Sequence, residues 1–190
     1  MKLTLRHLLI FFLIAACSVG FGFAFDGVAT AVEKRNHPRP ETIAPFVEKY
    51  AREFGVPETV IWATVCTESN FASNATRDGK VGLMMISPAL YETVCREVLG
   101  EEPLDSGILY DPQTNLRVGT AYLSYLYRRY GVWDSVYAAY FAGTDAVDAW
   151  LTDPAHVSEQ GFLKDLPRDV QEHIEEVQKT VALYGKLYYQ

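Results

Sequence analysis

One acidic side chain stands out by the company it keeps. The stretch Thr59 to Thr67, read as TVIWATVCT, carries no charged residue, and Glu68 follows it directly. At about 100° per residue, Glu68 falls in line with Ile61 and Val65 on a helix that is apolar on nearly every side, and such a helix belongs in a core. Two causes should raise the pKa of this carboxyl: partial desolvation against its neighbours, and the negative end of the helix dipole at the last turn. A carboxyl that keeps its proton near neutral pH can give it to a poor oxygen leaving group, as breaking a glycosidic bond requires. The competing reading is a glutamate that merely ends its helix and points to water.

Hydrolysis of such a bond ordinarily needs a second carboxylate. Asp78 is the one nearby rival, although Asp78-Gly79 equally reads as an exposed turn. The four histidines are scattered and no Cys, His or acid cluster has metal-ligand spacing, so neither a metal nor a cofactor is expected.

The elements that must hold Glu68 are marked by helix punctuation. The pattern predicts helices over Glu41 to Phe54, ending at Gly55; Pro57 to about Ser69; and Ser87-Pro88 to Gly100, with Ser87 as cap. The longest internal helix opens at Asp111-Pro112 and stops at Gly131, its Leu116, Gly119, Tyr122, Leu123, Leu126 and Tyr130 recurring at helical spacing. Shorter helices follow over Asp134 to Phe141 and Thr144 to Leu151, then a loop from Asp153 to Asp165, then a final helix from about Pro167 to Tyr188. Strand signal is confined to Val81 to Ile86, which suits a short hairpin arm. The fold class is mostly α with a small β-hairpin element, built as one domain over residues 41–190.

The segment after Glu68 adds an ordered set of motifs. Glu68-Ser69 precedes Gly82-Leu83-Met84-Met85-Ile86-Ser87-Pro88; further on come Asp111-Pro112, Asn115, Gly119, Tyr122-Leu123, Ala138-Ala139-Tyr140 and Ala142-Gly143. In order and spacing, over about residues 45–185, the set resembles the family-23 lytic transglycosylases and their goose-type lysozyme relatives. The resemblance implies a lysozyme-like helical domain that cleaves the MurNAc-GlcNAc bond of peptidoglycan without water. The substrate's own C6 hydroxyl attacks, a 1,6-anhydro end results, and Glu68 serves first as acid and then as base. It also implies that Ser69 braces the loop at the glycan, that Met84 lines the sugar cleft, and that Tyr140 holds its phenol near Glu68.

Several positions depart from the family pattern. Met85 and Phe141 occupy substrate-binding positions where Gln and Asn are usual, so two amides become apolar. Asp169 stands for a Glu and His173 for a Tyr near the last helix, and a shortened loop puts Arg77 where a Ser is usual. These changes keep two further readings open: a hydrolytic muramidase using Glu68 with Asp78, and a degenerate exported scaffold that binds glycan without cutting it.

The N-terminus reads as an export signal, with Lys2, Arg6 and His7 before an apolar run from Leu8 to Phe25. Ile14-Ala15-Ala16-Cys17 has the form of a lipobox. Lipidation at Cys17, cleavage to a soluble form and retention as a membrane anchor are all open, and each exports the domain to the periplasm. Residues 26–40, with Pro38 and Pro40, read as a linker. In an oxidising compartment Cys66 and Cys95 then form an even pair, which suits a disulfide between them or two buried free thiols behaving as small hydrophobes. Removing residues 1–17 takes away two cations and no anion, so the net charge moves from −7 to −9. That excludes a generic nucleic-acid binder, which would want a basic patch. The short chain suits a specialised enzyme that opens the wall locally for an envelope-spanning machine.

Overall fold

The computed structural model describes residues 27–189. Lys2 to Phe25, with the lipobox-like Cys17, lies outside the described residues. Two units are distinguished, one ending at Pro38 and one beginning at Arg39. In the first, residues 27–36 are helical (α1), where the sequence reads as a linker. The prolines of that stretch lie only at 38 and 40, and the Ala, Glu and Lys before them favour helix. No helix among the described residues is long and apolar enough to cross a membrane.

The second unit contains α2 (Ala44–Phe54), α3 (Glu58–Ser69), a hairpin of β1 (Thr76–Arg77) and β2 (Lys80–Val81), α4 (Pro88–Thr93), α5 (Pro112–Tyr130), α6 (Trp133–Ala142), α7 (Thr144–Thr152) and α8 (Arg168–Tyr188). Local chemistry explains most of the boundaries. Gly55, Gly100 and Gly131 end their helices in left-handed backbone, where a side chain would be strained. Ser87 Oγ accepts from the Leu90 N–H and Asp111 accepts from the Thr114 N–H, each ahead of a proline at the first helical position. Beyond α4 the chain widens into a π-type turn over Val94–Leu99, and a 3-10 turn spans Ser106–Tyr110.

The core gathers around α3. Val60 to Val65 are all buried, as a helix apolar all round demands. α3 lies most extensively against α8, α2 lies on α5, and α6 joins α5 to α8. The structure therefore brings the last helix, distant in sequence, alongside the one that carries Glu68.

The hairpin falls earlier than the apolar run Val81 to Ile86 suggests. Its strands pair Thr76 with Val81 and Arg77 with Lys80, antiparallel, and the two connecting residues are Asp78 and Gly79, with φ of 52° and 74°. That is the Asp-Gly turn whose positive φ values match the twist of a two-residue hairpin. Val81 to Ile86 instead makes a buried loop, closed by a single bridge between its ends.

That loop is held by one side chain. Asn115, fully buried on α5, accepts from the Met84 N–H at 2.7 Å and donates to the carbonyls of Val81 and Leu109 at 2.9 Å each. Gly82 leaves room for it: a Cβ there would stand 2.2 Å from Asn115 Nδ2, and its φ is 80°. Tyr140 Oη donates to the Met84 carbonyl at 2.7 Å from the other side.

The Cys66–Cys95 disulfide is absent, and both residues are free thiols. They belong to different neighbourhoods. Cys66, on the last turn of α3, is bonded with Tyr184 of α8, whereas Cys95, in the π-type turn, is bonded with Tyr91. Burial pushes both thiols above their ordinary pKa, which leaves them poor nucleophiles.

Candidate active site

Glu68 sits on the last turn of α3 with only 7% of its side chain exposed. Asn70 then reverses the chain in left-handed backbone, donating its N–H to the Cys66 carbonyl. Around the carboxyl stand groups from four elements. Arg77 of β1 brings a guanidinium nitrogen to 3.5 Å from Oε2 and, at 3.4 Å, donates to the Glu68 carbonyl. His173 of α8 brings Nε2 to 3.9 Å from Oε1. Lys80 of β2, Glu176 of α8 and Tyr140 of α6 act through their charge or proximity.

These neighbours set the acidity of the site. Burial pushes the Glu68 carboxyl above its ordinary value, Lys80 and then Arg77 pull it back, and Glu176 pushes it up again. The desolvation cause is the one expected from the sequence. Burial, reinforced by Lys80 and Arg77, brings His173 down to about 4. At pH 7 the imidazole is therefore neutral, and its approach to Glu68 is not an ion pair. Tyr140 is pushed well up by burial, then by the negative charge of Glu68 and by Tyr122, so its phenol keeps its proton.

His173 gives a pH signature of its own. Its folded pKa lies below that of the unfolded imidazole, so the unfolded chain takes up the proton first as pH falls. Stability contributed by the neutral ring is present above pH 6.5 and is lost on acidification towards pH 4, by about 3 kcal/mol. Urea unfolding at pH 7 and pH 4.5 is expected to show a smaller acid loss for His173→Gln than for the wild type; equal losses would refute this account.

The remaining sequence-predicted residues separate into two groups. Tyr140 lies close to Glu68, but its proton is committed to the Met84 carbonyl, so it fixes the loop beside the acid. Phe141 does not stand in for a polar amide: its ring, 39% exposed, stacks on His173 at 4.5 Å and 21°, backing the imidazole that faces Glu68. Ser69 returns its hydroxyl to the Val65 carbonyl at 3.1 Å, while its own carbonyl accepts from Ala72 and ties down the following turn.

Met84 and Met85, expected to line the sugar cleft, both have buried side chains. Met84 fills the space that Gly119 leaves on α5, where a Cβ would meet its Sδ at 2.4 Å. Met85 closes the turn from Gly82 with a φ of 49°. Asp169 is exposed on the first turn of α8, one helical turn before His173. Asp78 is exposed at the hairpin tip.

Sequence reading noted Arg77 and His173 only as departures from a pattern, and passed over Lys80 and Glu176. A signal existed: Asp169, His173 and Glu176 share one face of α8 at helical spacing, and two cations flank the Asp-Gly turn.

Comparisons with known proteins bear on the fold that carries this site. A family profile described as the transglycosylase SLT domain matches residues 45–162. The chain is 29% identical over 125 residues to the soluble lytic murein transglycosylase of Escherichia coli (strain K12), which covers 63% of this chain and 19% of that protein. It is 35% identical over 108 residues to membrane-bound lytic murein transglycosylase C of Yersinia pestis (strain Pestoides F), covering 54% of this chain and 28% of that one. Among solved structures, the lytic transglycosylase Slt from Pseudomonas aeruginosa, an inactive mutant, superimposes with a TM-score of 0.67 at 26% identity over 79% of this chain and 24% of its own. The 70 kDa soluble lytic transglycosylase from Escherichia coli does so with a TM-score of 0.70 at 25% identity, over 81% and 25%. The chain thus spans between 19% and 28% of the length of these relatives. The fold is the mostly helical, lysozyme-like one with a small hairpin that the motifs implied. With its acid-bearing helix at the centre of that fold, and with the profile covering more than half its length, the chain belongs to the transglycosylase SLT domain family.

Proposed function

We propose that this protein is a peptidoglycan lytic transglycosylase with Glu68 as its general acid and base. Glu68 gives its proton to the glycosidic oxygen as the bond from the muramic acid C1 breaks. The C6 hydroxyl oxygen of the same sugar then bonds to C1, and its proton returns to Glu68. Water is neither consumed nor released, and the carboxyl ends the cycle as it began.

The observation that carries this reading is one desolvated carboxyl, Glu68, beside which Asp78 and Glu176 are both solvent-exposed. Asp78 sits exposed at the tip of a two-residue turn, which favours the one-acid route over hydrolysis with a paired carboxylate. His173, neutral at pH 7, adds no charge to compete for the proton. The relatives named soluble and membrane-bound lytic murein transglycosylases support peptidoglycan as the substrate. Export to the periplasm is part of the same proposal and rests on the basic and apolar N-terminal run. The exported form is lipidated at Cys17, cleaved or anchored, and service to an envelope-spanning machine would follow from that location.

Mass spectrometry of purified peptidoglycan digested by the protein tests the reaction. Fragments ending in 1,6-anhydromuramic acid, each lighter by one water than a hydrolysed end, are expected. Reducing ends alone would mean a hydrolase, and bound but uncut glycan would mean a scaffold.

A further inference from the structure

The pair formed by Arg77 and Glu68 is unequal. Glu68 is fixed on a helix with 7% of its side chain exposed, whereas Arg77 stands beside a two-residue turn with 60% of its side chain exposed. Their contact is a single approach at 3.5 Å, shared with a 3.4 Å bond to the Glu68 carbonyl. It leaves the fork of the guanidinium unused. A half-exposed ion pair of this kind holds weakly, and a guanidinium binds a carboxylate best through two parallel bonds.

While Arg77 stays in place it works against the site, because a cation beside Glu68 favours the ionised form, and only the protonated form can donate. The substrate proposed above carries what would resolve the conflict. Each muramic acid bears a lactyl arm that ends in a carboxylate, or in a peptide that carries carboxylates of its own.

We propose that Arg77 is a carboxylate-sensing positioning residue: a carboxylate on the lactyl or peptide arm of a bound glycan draws its guanidinium off Glu68, which then takes up from solvent the proton it donates. The inference rests on the peptidoglycan reading. It names what recruits the proton and why the site would favour acidic glycans over neutral ones. The other groups facing Glu68 are Lys80 on the hairpin, His173 and Glu176 on α8, and Tyr140 on α6.

Linkage makes the exchange measurable without turnover. If binding a carboxylate favours protonation of Glu68, protonation of Glu68 must tighten carboxylate binding by the same factor. The probes are the GlcNAc-MurNAc disaccharide with a free lactyl carboxylate, its tetrapeptide form, and its lactyl methyl ester, titrated calorimetrically from pH 5 to pH 8.

For the wild type, affinity for a carboxylate-bearing probe is expected to rise about fivefold as pH falls across this range, the size of effect supported by a single long contact with one exposed partner. Glu68→Gln should bind that probe tightly at every pH, and Arg77→Ser weakly at every pH, with Arg77→Lys between them. The methyl ester should bind all four proteins alike. Comparison of the disaccharide with the tetrapeptide form tells which carboxylate Arg77 reads.

Arg77→Ser binding the acidic probes as tightly as the wild type, or no binding of any probe by any variant, would overturn the proposal. If the linkage appears as described but no glycan is cut, the sensing role stands and the transglycosylase reading fails. Cleavage without any such linkage would mean the reverse.

Discussion

Glu68→Gln is expected to slow the release of peptidoglycan fragments by about 10³-fold, the contribution a positioned general acid and base makes to proton transfer. The amide has the shape of the acid and can still meet Arg77 and the carbonyl-rich end of α3, so the fold is retained. It has no proton to give at any accessible pH, and it cannot accept one from the C6 hydroxyl. Because a single carboxyl serves both half-reactions, no second residue is left to recover part of the rate. The measurement is turbidity loss of a cell-wall suspension, with thermal unfolding as the control for folding. Residual activity within about tenfold of the wild type would remove Glu68 from the chemistry.

The second large effect concerns stability. Asn115→Ala should destabilise the protein by about 4 kcal/mol, from the loss of three buried hydrogen bonds and the cavity left behind. The Met84 N–H and the carbonyls of Val81 and Leu109 would all lose their partner in the interior. Asn115→Asp is informative beside it: it keeps the acceptor for Met84 but turns a donor pair into a buried charge facing two carbonyls, so it should be no better than the alanine. Equilibrium unfolding in urea reads both. A cost below about 1 kcal/mol for either variant would show that the loop from Gly82 to Ile86 is held by something else.

What could be read from sequence alone follows the range of the interactions involved. Gly55, Ser87-Pro88, Gly100, Asp111-Pro112 and Gly131 terminate or start helices through bonds made within a few residues, so helix boundaries were visible almost to the residue. Glu68 was visible for a similar reason, since the uncharged run before it already implied burial. The hairpin was misplaced because Val81 to Ile86 looks like a strand in composition. Those residues are apolar because the loop is buried, and the bonds that define it come from Asn115 and Tyr140, 31 and 56 positions away from Met84. The disulfide failed on the same ground, since nothing local reports that Cys66 faces α8 while Cys95 faces Tyr91. The cations around Glu68 required knowing that a two-residue turn folds Arg77 back and that α8 runs beside α3. The apolar substitution at Phe141 becomes intelligible only with His173 beneath its ring.

Arg39, at the start of the second unit, lies over the rings of Trp62, Tyr188 and Tyr189 at 5.5, 5.4 and 5.0 Å and reaches Glu58 at 3.4 Å. The first residue of the second unit and the end of α8 are thus buckled together on the front half of α3. A pull on whatever precedes Arg39 is borne first by this clasp, six residues and about 9 Å of helix from Glu68.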